Sequence, residues 1–392
     1  MRIPARSLLA GAGIVGAAVA AGLEPDFAAA SAKQDYPAFA LVAGLLLIGL
    51  GADDEGLFAV AGAWLGRLAR NGFALFTGAV VLVGAVTATL NLDTSVAFLT
   101  PVLIYAARDR KAGESALLYG CLLLSNAGSL LLPGSNLTNL IVLGQLRLSG
   151  GQFVARMWLP ALAALAVTAL VVLVLERRCL AAEPGDPAAR DEQVTAHGQE
   201  PAPGLRPGIG PVLALAAVVA ATVLVVVLRD PAIPVLAVGV VTAGVHLIRG
   251  RADSSRIAEV LGVPVLTGLF GIAVALGALG RAWSGPATLL AHLNSVGVAA
   301  LAATATVLVN NLPAASLLAA RAGIGHPLPL LIGLNLGPNL CVTGSLAWLI
   351  WLRAARGAGA EPTLARASLL GAVAVPLAMA AALAGLALTG SR

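Results

Sequence analysis

Apolar positions fall in unbroken blocks rather than in strict alternation, and polar residues collect between the blocks. Blocks of Ala, Leu and Val close to 20 residues long match what a helix needs to cross about 30 Å of hydrocarbon. They predict crossings at 7–23, 37–52, 113–146, 156–176, 209–229, 232–249, 262–282, 328–352 and 365–389. A period-two pattern is missing, which argues against an outer-membrane barrel. Two further apolar stretches, 72–108 and 296–322, are interrupted near their middles by polar residues. Such an interruption predicts a re-entrant hairpin that enters and leaves on one side. The shorter segments 55–70 and 286–295 are amphipathic and read as helices lying in the interface.

The interruptions repeat. The hairpin centres read "NLDTSVAFL" from Asn91 and "NLPAASLLA" from Asn311. Downstream of each centre the chain reads "SNAGSLLLPGSNLTN" from Ser125 and "LNLGPNLCVTGSLAW" from Leu334, each an Asn-x-Gly followed by a Gly-Ser. Pro133 and Gly134 in one half, Gly337 and Pro338 in the other, predict an unwound break within each crossing helix. Pro313 ends one arm of the second hairpin or starts the other, where a missing N–H matters little.

Charge fixes how the halves lie. Arg67 and Arg70 precede the first hairpin, while Arg108, Arg110 and Lys111 follow it, so a hairpin places both clusters on the cytoplasmic side. Arg177, Arg178, Arg249, Arg251, Arg353, Arg356 and Arg366 then fall inside as well, with Arg147, Arg156, Arg281 and Arg321 outside. The acidic segment 23–36 suits an external loop. Nine crossings and two hairpins give a cytoplasmic N-terminus and an external C-terminus, and repeats that are inverted, the design of many secondary transporters. The expected fold is thus an all-α polytopic membrane protein of two inverted repeats, each with a re-entrant hairpin and a broken transmembrane helix. Its parts are an N-terminal helix and external loop (1–36), a first repeat (37–178), a Pro-, Gly- and charge-rich cytoplasmic linker (179–208) and a second repeat (209–392). The first apolar segment reads as a crossing helix, with a signal peptide as the alternative given its basic start at Arg2 and Arg6.

Composition agrees. The chain is 59% hydrophobic and 11% charged, too few charges to cover a water-facing surface. The net charge of +5 sits at the ends of apolar blocks and is no nucleic-acid signal. Cys121, Cys179 and Cys341 lack metal-ligand spacing. Gly11, Gly13 and Gly16 read as close helix packing, since no Walker sequence follows. No catalytic pair lies within the crossings, so an enzyme is not expected, nor a cofactor. Energy must come from an ion gradient, proton or sodium, or from a soluble partner ATPase.

Candidate site residues cluster at the breaks. Asp93 is the only carboxylate within 72–107, and an acid inside a membrane is a coupling candidate, with helix capping as the plain alternative. Asn91, Thr94, Asn310 and Asn311 stand at the hairpin tips as ligand or ion contacts, or as groups that only close the tip. Asn126, Ser135, Asn136, Asn335, Thr343 and Ser345 line a cavity or pack between helices. Gly128, Pro133, Gly134, Pro313, Gly337, Pro338 and Gly344 shape the backbone, with conformational freedom the expected role of Gly134 and Gly344.

"NLDTSVAFLTPVLIYAARDR", "VNNLPAASLLAA" and "NLGPNLCVTGSLAWLIWLRAAR" resemble the two hairpins and the second broken helix of arsenite/antimonite efflux permeases of the ArsB type, in the ion transporter superfamily. That resemblance implies an elevator-like carrier, often a homodimer, that exports arsenite or antimonite in exchange for protons. The superfamily also contains sodium- or proton-coupled carriers of dicarboxylates and citrate, which are the alternative. An anion carrier calls for a basic residue near its site. Neither hairpin centre holds one, which favours a neutral substrate.

Overall fold

The computed structural model describes residues 5–110, 112–146, 148–181, 208–321, 323 and 325–390. From 182 to 207 the expected linker lies outside the described residues, as do Lys111 and Arg147. Every regular element among the described residues is helical.

The first half holds α1 (Ala5–Leu23), α2 (Pro25–Asp54), α3 (Leu57–Leu68), α4 (Gly72–Thr89), α5 (Leu92–Asp109), α6 (Ser115–Gly128), α7 (Leu137–Leu143), α8 (Gly150–Leu175) and α9 (Arg177–Ala181). The second half holds α10 (Gly210–Val227), α11 (Ala232–Ile248), α12 (Ser254–Leu261), α13 (Val263–Ala282), α14 (Gly285–His292), α15 (Ser295–Val309), α16 (Asn311–Leu318), α17 (Pro327–Leu336), α18 (Ala347–Gly357) and α19 (Leu364–Gly390). Single 3₁₀ turns sit in the two breaks, Pro133–Ser135 between α6 and α7 and Gly337–Leu340 between α17 and α18. A short helix, a two-helix hairpin, a broken helix and a long helix therefore occur in the same order twice: α3 to α8, and α14 to α19.

The two halves also pack on each other. The most extensive helix contacts are α1 on α13, α8 on α19 and α2 on α11. Small residues permit the first and third. A Cβ on Gly13 would sit 2.1 Å from the Gly268 carbonyl oxygen, and one on Gly239 would sit 2.4 Å from that of Gly44. Such close backbone approach is how helices associate where no water drives them together. Among the described residues, six helices are long and apolar enough to cross a membrane. On α10 the exposed Val212, Leu215, Val219, Val223 and Val227 form a stripe at helical spacing, a surface suited to lipid.

Hydrogen bonds locate the two ends of the bundle. At one end the α5 terminus meets the end of α18, where Arg108 bonds the Ala358 carbonyl at 2.6 Å. There too Glu176 beyond α8 pairs with Arg366 at 2.7 Å, and the carboxylate of Glu55 pairs with Arg251. At the opposite end of the same long helices, Thr389 bonds the Arg156 carbonyl at 3.0 Å and Arg281 bonds Ser31 at 2.7 Å. The α4–α5 hairpin has both open ends at the first of these, because a Cβ on Gly72 would meet the Leu180 carbonyl oxygen at 2.4 Å. The α15–α16 hairpin opens at the other, where Arg321 bonds the Gly280 carbonyl at 3.1 Å.

Three details differ from the sequence reading. Segment 23–36 is not a loop: the chain turns at Glu24, and α2 starts at Pro25 and runs through Pro37. Of its polar residues, Gln34 bonds the Ile141 and Ala319 carbonyls and Asp35 is buried, while Glu24 at the helix start and Asp26 and Lys33 on the helix are exposed. Helix α12 was not expected; Asp253 caps it by accepting from the Arg256 N–H at 2.7 Å. His246, whose place near the end of the predicted crossing 232–249 suggests the interface, is instead buried between Asp54 and Glu55.

The α2–α11 crossing yields a stability test. Gly239→Ala should lower stability in detergent by about 1–3 kcal/mol through overpacking. Gly244→Ala, on the same helix with nothing within 4 Å of a new Cβ, should not. Thermal unfolding of both variants reads the difference, and equal melting would refute the close crossing.

Candidate functional site

Each hairpin tip is a helix start with a polar cap. Asn91 is extended and its Oδ1 accepts from the Thr94 N–H at 2.7 Å, opening α5. Asn310 takes a positive φ of 76°, the only non-glycine residue to do so among the described residues. That backbone, with ψ at 154°, carries about 1–3 kcal/mol of strain for a side chain. The neighbouring break holds it there: Asn310 Nδ2 donates to the Thr343 carbonyl at 3.1 Å, and the Asn311 N–H to the Gly344 carbonyl at 2.9 Å. Pro313 stands as the third residue of α16, so it starts the second arm. In the other half Ser135 Oγ donates to the Ala88 carbonyl at 3.1 Å, tying the first tip to its own break.

The two broken helices meet through amides. Asn335 Oδ1 accepts from Asn136 Nδ2 at 2.6 Å and Ser129 Oγ at 2.8 Å, while its Nδ2 donates to Asn139 Oδ1 at 2.9 Å. Asn126 Nδ2 donates to Asn339 Oδ1 at 2.9 Å. All of these amides are buried. Carbonyls freed by the breaks are also taken up: Pro338 accepts from Trp348 Nε1 at 2.7 Å, and Leu132 accepts from Asn139 Nδ2 at 3.2 Å.

Beside this amide cluster lies a cavity of about 130 Å³. Asp93, Asn136, Asn310, Asn311 and Ser345 line it, with apolar walls from α2 and α13 such as Val42, Leu46 and Leu269. The other expected residues stand outside the lining. Asn126, Ser135 and Asn335 are held in the amide cluster or at a tip. Thr94 is turned to α2, where a Cβ on Gly49 would meet its Cγ2 at 2.5 Å. Thr343 is exposed and bonds the Val307 carbonyl at 2.7 Å. Asn91 sits just behind the lining, with its Nδ2 buried and unpartnered. The Ser345 hydroxyl, buried and on the cavity wall, is unpartnered as well. Asp93 makes no side-chain hydrogen bond or ion pair among the described residues.

Gly337 and Gly344 in the second break serve closeness rather than freedom. None of Gly128, Gly134, Gly337 and Gly344 has a positive φ. A Cβ on Gly344 would instead meet Pro338 Cα at 2.5 Å, and one on Gly337 would meet Ala303 Cα at 2.5 Å.

Two charged residues reach the cavity that the hairpin centres could not reveal. Arg353 comes from α18 and Glu259 from α12; both are exposed, marking the open mouth. The signal for Glu259 was the Asp253-Ser-Ser-Arg helix start, and that for Arg353 was its helical spacing beyond Ser345. Neither Cys121 nor Cys341 lines the cavity. Cys121 is buried against Thr100 at 3.5 Å, and Cys341 contacts Thr343 at 2.9 Å.

The arrangement defines a class, the polytopic helical membrane carriers whose hairpin tips and broken helices close around one cavity. The chain belongs to the CitMHS citrate transporter family, whose model matches residues 1–337, and it is a secondary transporter of that kind. Its fold is similar to the Alcanivorax borkumensis YdaH transporter, whose crystal structure revealed an unusual topology. That likeness has a TM-score of 0.58 at 16% identity over 93% of this chain and 87% of the other. No curated protein matches the chain in sequence. The family result favours the small-anion alternative over arsenite or antimonite efflux.

The site separates structural amides from cavity groups. Asn335→Ala removes the acceptor shared by Asn136 and Ser129 and should lower stability by about 1–3 kcal/mol. Ser345→Ala, which breaks no bond, should stay within about 0.5 kcal/mol of wild type. Melting in detergent checks both, and an unperturbed Asn335→Ala would contradict the structural role of the cluster.

Proposed function

We propose that this chain carries a small carboxylate, with citrate the first candidate, across the plasma membrane by coupling to a proton or sodium gradient. The observation that carries the reading is the cavity lining: Arg353 at the mouth, amides from Asn136, Asn310 and Asn311, and an unpartnered Ser345 hydroxyl. The starts of α5 and α16 also point at the cavity through Asp93 and Asn311, and helix N-termini favour anions. Family membership supports the same substrate class.

Asp93 gives the coupling its physical reason. It lines the same cavity without a partner, so a bound carboxylate would meet a like charge in a low-dielectric site. A proton on Asp93, or a cation between the two groups, removes the repulsion. Substrate and coupling ion then occupy the site together more readily than either alone. The hairpins opening at opposite ends of the bundle support inverted repeats, with Arg108, Arg177 and Arg366 on the cytoplasmic side and the C-terminus outside.

Uptake by purified protein in liposomes tests this. Labelled citrate should accumulate under an imposed proton or sodium gradient, and arsenite should not. Arg353→Gln should raise KM about tenfold, the loss of one charge-assisted contact. Asp93→Asn should abolish accumulation driven by the coupling gradient while exchange of internal for external substrate survives. Arsenite accumulation without carboxylate transport would overturn the substrate class.

A further inference from the structure

The cavity has one open mouth, and the opposite direction is closed by layers on the same helix faces. Along α2, Leu46 and Val42 line the cavity, and Phe39 and Asp35 continue that face at helical spacing. Along α16, Asn311 and Leu312 line it, and Ser316 lies one turn beyond. Along α13, Leu266 and Leu269 line it, followed by Phe270 and then Arg281 near the helix end. Phe39 and Phe270 pack edge to face, with ring centroids 5.2 Å apart, and form the apolar layer next to the cavity.

Beyond that plug is a polar layer joining four elements. Asp35 is 1% exposed, and its Oδ2 accepts from Ser316 Oγ at 3.3 Å. Arg281 lies within Coulombic reach of Asp35, and its guanidinium donates to Ser31 Oγ at 2.7 Å and to Gln34 Oε1. Gln34 Nε2 in turn donates to the Ala319 carbonyl after α16 at 3.2 Å and to the Ile141 carbonyl of α7 at 3.1 Å. Gln145 also donates to Gln34 Oε1 at 2.7 Å. Arg321 completes the layer through the Gly280 and Arg281 carbonyls.

These bonds run between two groups of elements. Asp35, Gln34 and Ser31 belong to α2, and Arg281 to α13, which pack on each other and on α1 and α11. Ser316 and Ala319 belong to the second hairpin, and Ile141 and Gln145 to the arm of the first break. Any movement that opened the cavity toward this end would have to separate the groups here. Packing alone would be served by apolar side chains, which need no partners. A buried carboxylate bonded by a hydroxyl, with a guanidinium nearby that bonds Ser31 and Gln34, instead makes a contact that releases into water without leaving apolar surface exposed.

We propose that Asp35, Ser316, Gln34 and Arg281 form a latch that holds the second hairpin against α2 and α13, seals the far end of the cavity and is released when the carrier opens there. They act as positioning residues: none lines the cavity. The inference rests on the carrier reading, but it does not depend on which substrate is carried.

Side-specific labelling of the full chain tests it without any substrate. Cys121, Cys179 and Cys341 are replaced, and Leu266→Cys places one thiol on the cavity wall. A membrane-impermeant maleimide is then applied to right-side-out and to inside-out vesicles. The parent should label from the mouth side alone. Asp35→Leu should raise labelling from the far side about tenfold, the population shift that losing roughly 1.4 kcal/mol of charge-assisted bonding produces. Asp35→Glu, which retains the carboxylate, should restore one-sided labelling, a rescue that a purely structural role for packing volume does not predict. Should Asp35→Leu fail to fold, Ser316→Ala and Gln34→Ala carry the test. One-sided labelling in both of these would overturn the latch, as would a parent that labels from both sides. Absence of citrate uptake by the parent would sink the substrate reading and leave the labelling result standing.

Discussion

Hydrocarbon offers no water to a broken helix, so each break must find its hydrogen-bond partners within the protein. This chain breaks its helices at four places, and the breaks largely satisfy one another. Ser135 of one break caps the Ala88 carbonyl of its hairpin; Asn310 and Asn311 of the other hairpin bond the Thr343 and Gly344 carbonyls. Asn335 and Asn126 then join the two broken helices across the middle. Once the breaks must cluster, the elements carrying them are forced together. The site is therefore a consequence of backbone satisfaction as much as of any ligand.

The same constraint sorts polar residues into two kinds. Amides in the central cluster have their partners, and they set how α6, α7 and α17 sit together. The Ser345 hydroxyl and the Asp93 carboxylate do not, although both border the cavity. A buried polar atom left without a partner is unfavourable by roughly 1–3 kcal/mol unless something else supplies the bond. Among the described residues such atoms include Ser345 Oγ on the cavity wall and Asn91 Nδ2 just behind it, and also Asn126 Oδ1 in the amide cluster and the hydroxyls of Thr87, Thr94 and Thr168 away from the cavity.

Much of the fold was legible because its signals are local and strong. Apolar block length located the long helices, and the polar interruptions at Asn91 and Asn311 located both hairpins. Pro133 and Pro338 marked breaks for the simple reason that proline lacks an N–H. Segment 23–36 was misread as a loop because its acidic residues suggest water, which holds for the exposed Glu24 and Asp26 and not for the buried Asp35. Asp35 and Gln34 are instead satisfied by Ser316, Arg281 and Ile141, residues remote in sequence. Helix α12 was overlooked because its evidence is one cap at Asp253 rather than an apolar block.

The site was legible only in part, for a geometric reason. Sequence identifies which residues lie at a break but not which way each points, since successive positions on a helix start differ by about 100°. Asp93 and Thr94 are neighbours, yet the first borders the cavity and the second meets Gly49 of α2. Arg353 was overlooked for the complementary reason. It stands two turns along α18 from Ser345, outside any break, and reaches the cavity because the broken helix aims that face toward the hairpin tips. Its placement changes the electrostatics from a pocket with one acid, Asp93, to a pocket whose mouth also carries a cation, Arg353, together with the Glu259 carboxylate. On the carrier mechanism proposed above, Arg353 serves the anion and Asp93 the coupling cation, a division that a cavity containing Asp93 alone would not offer.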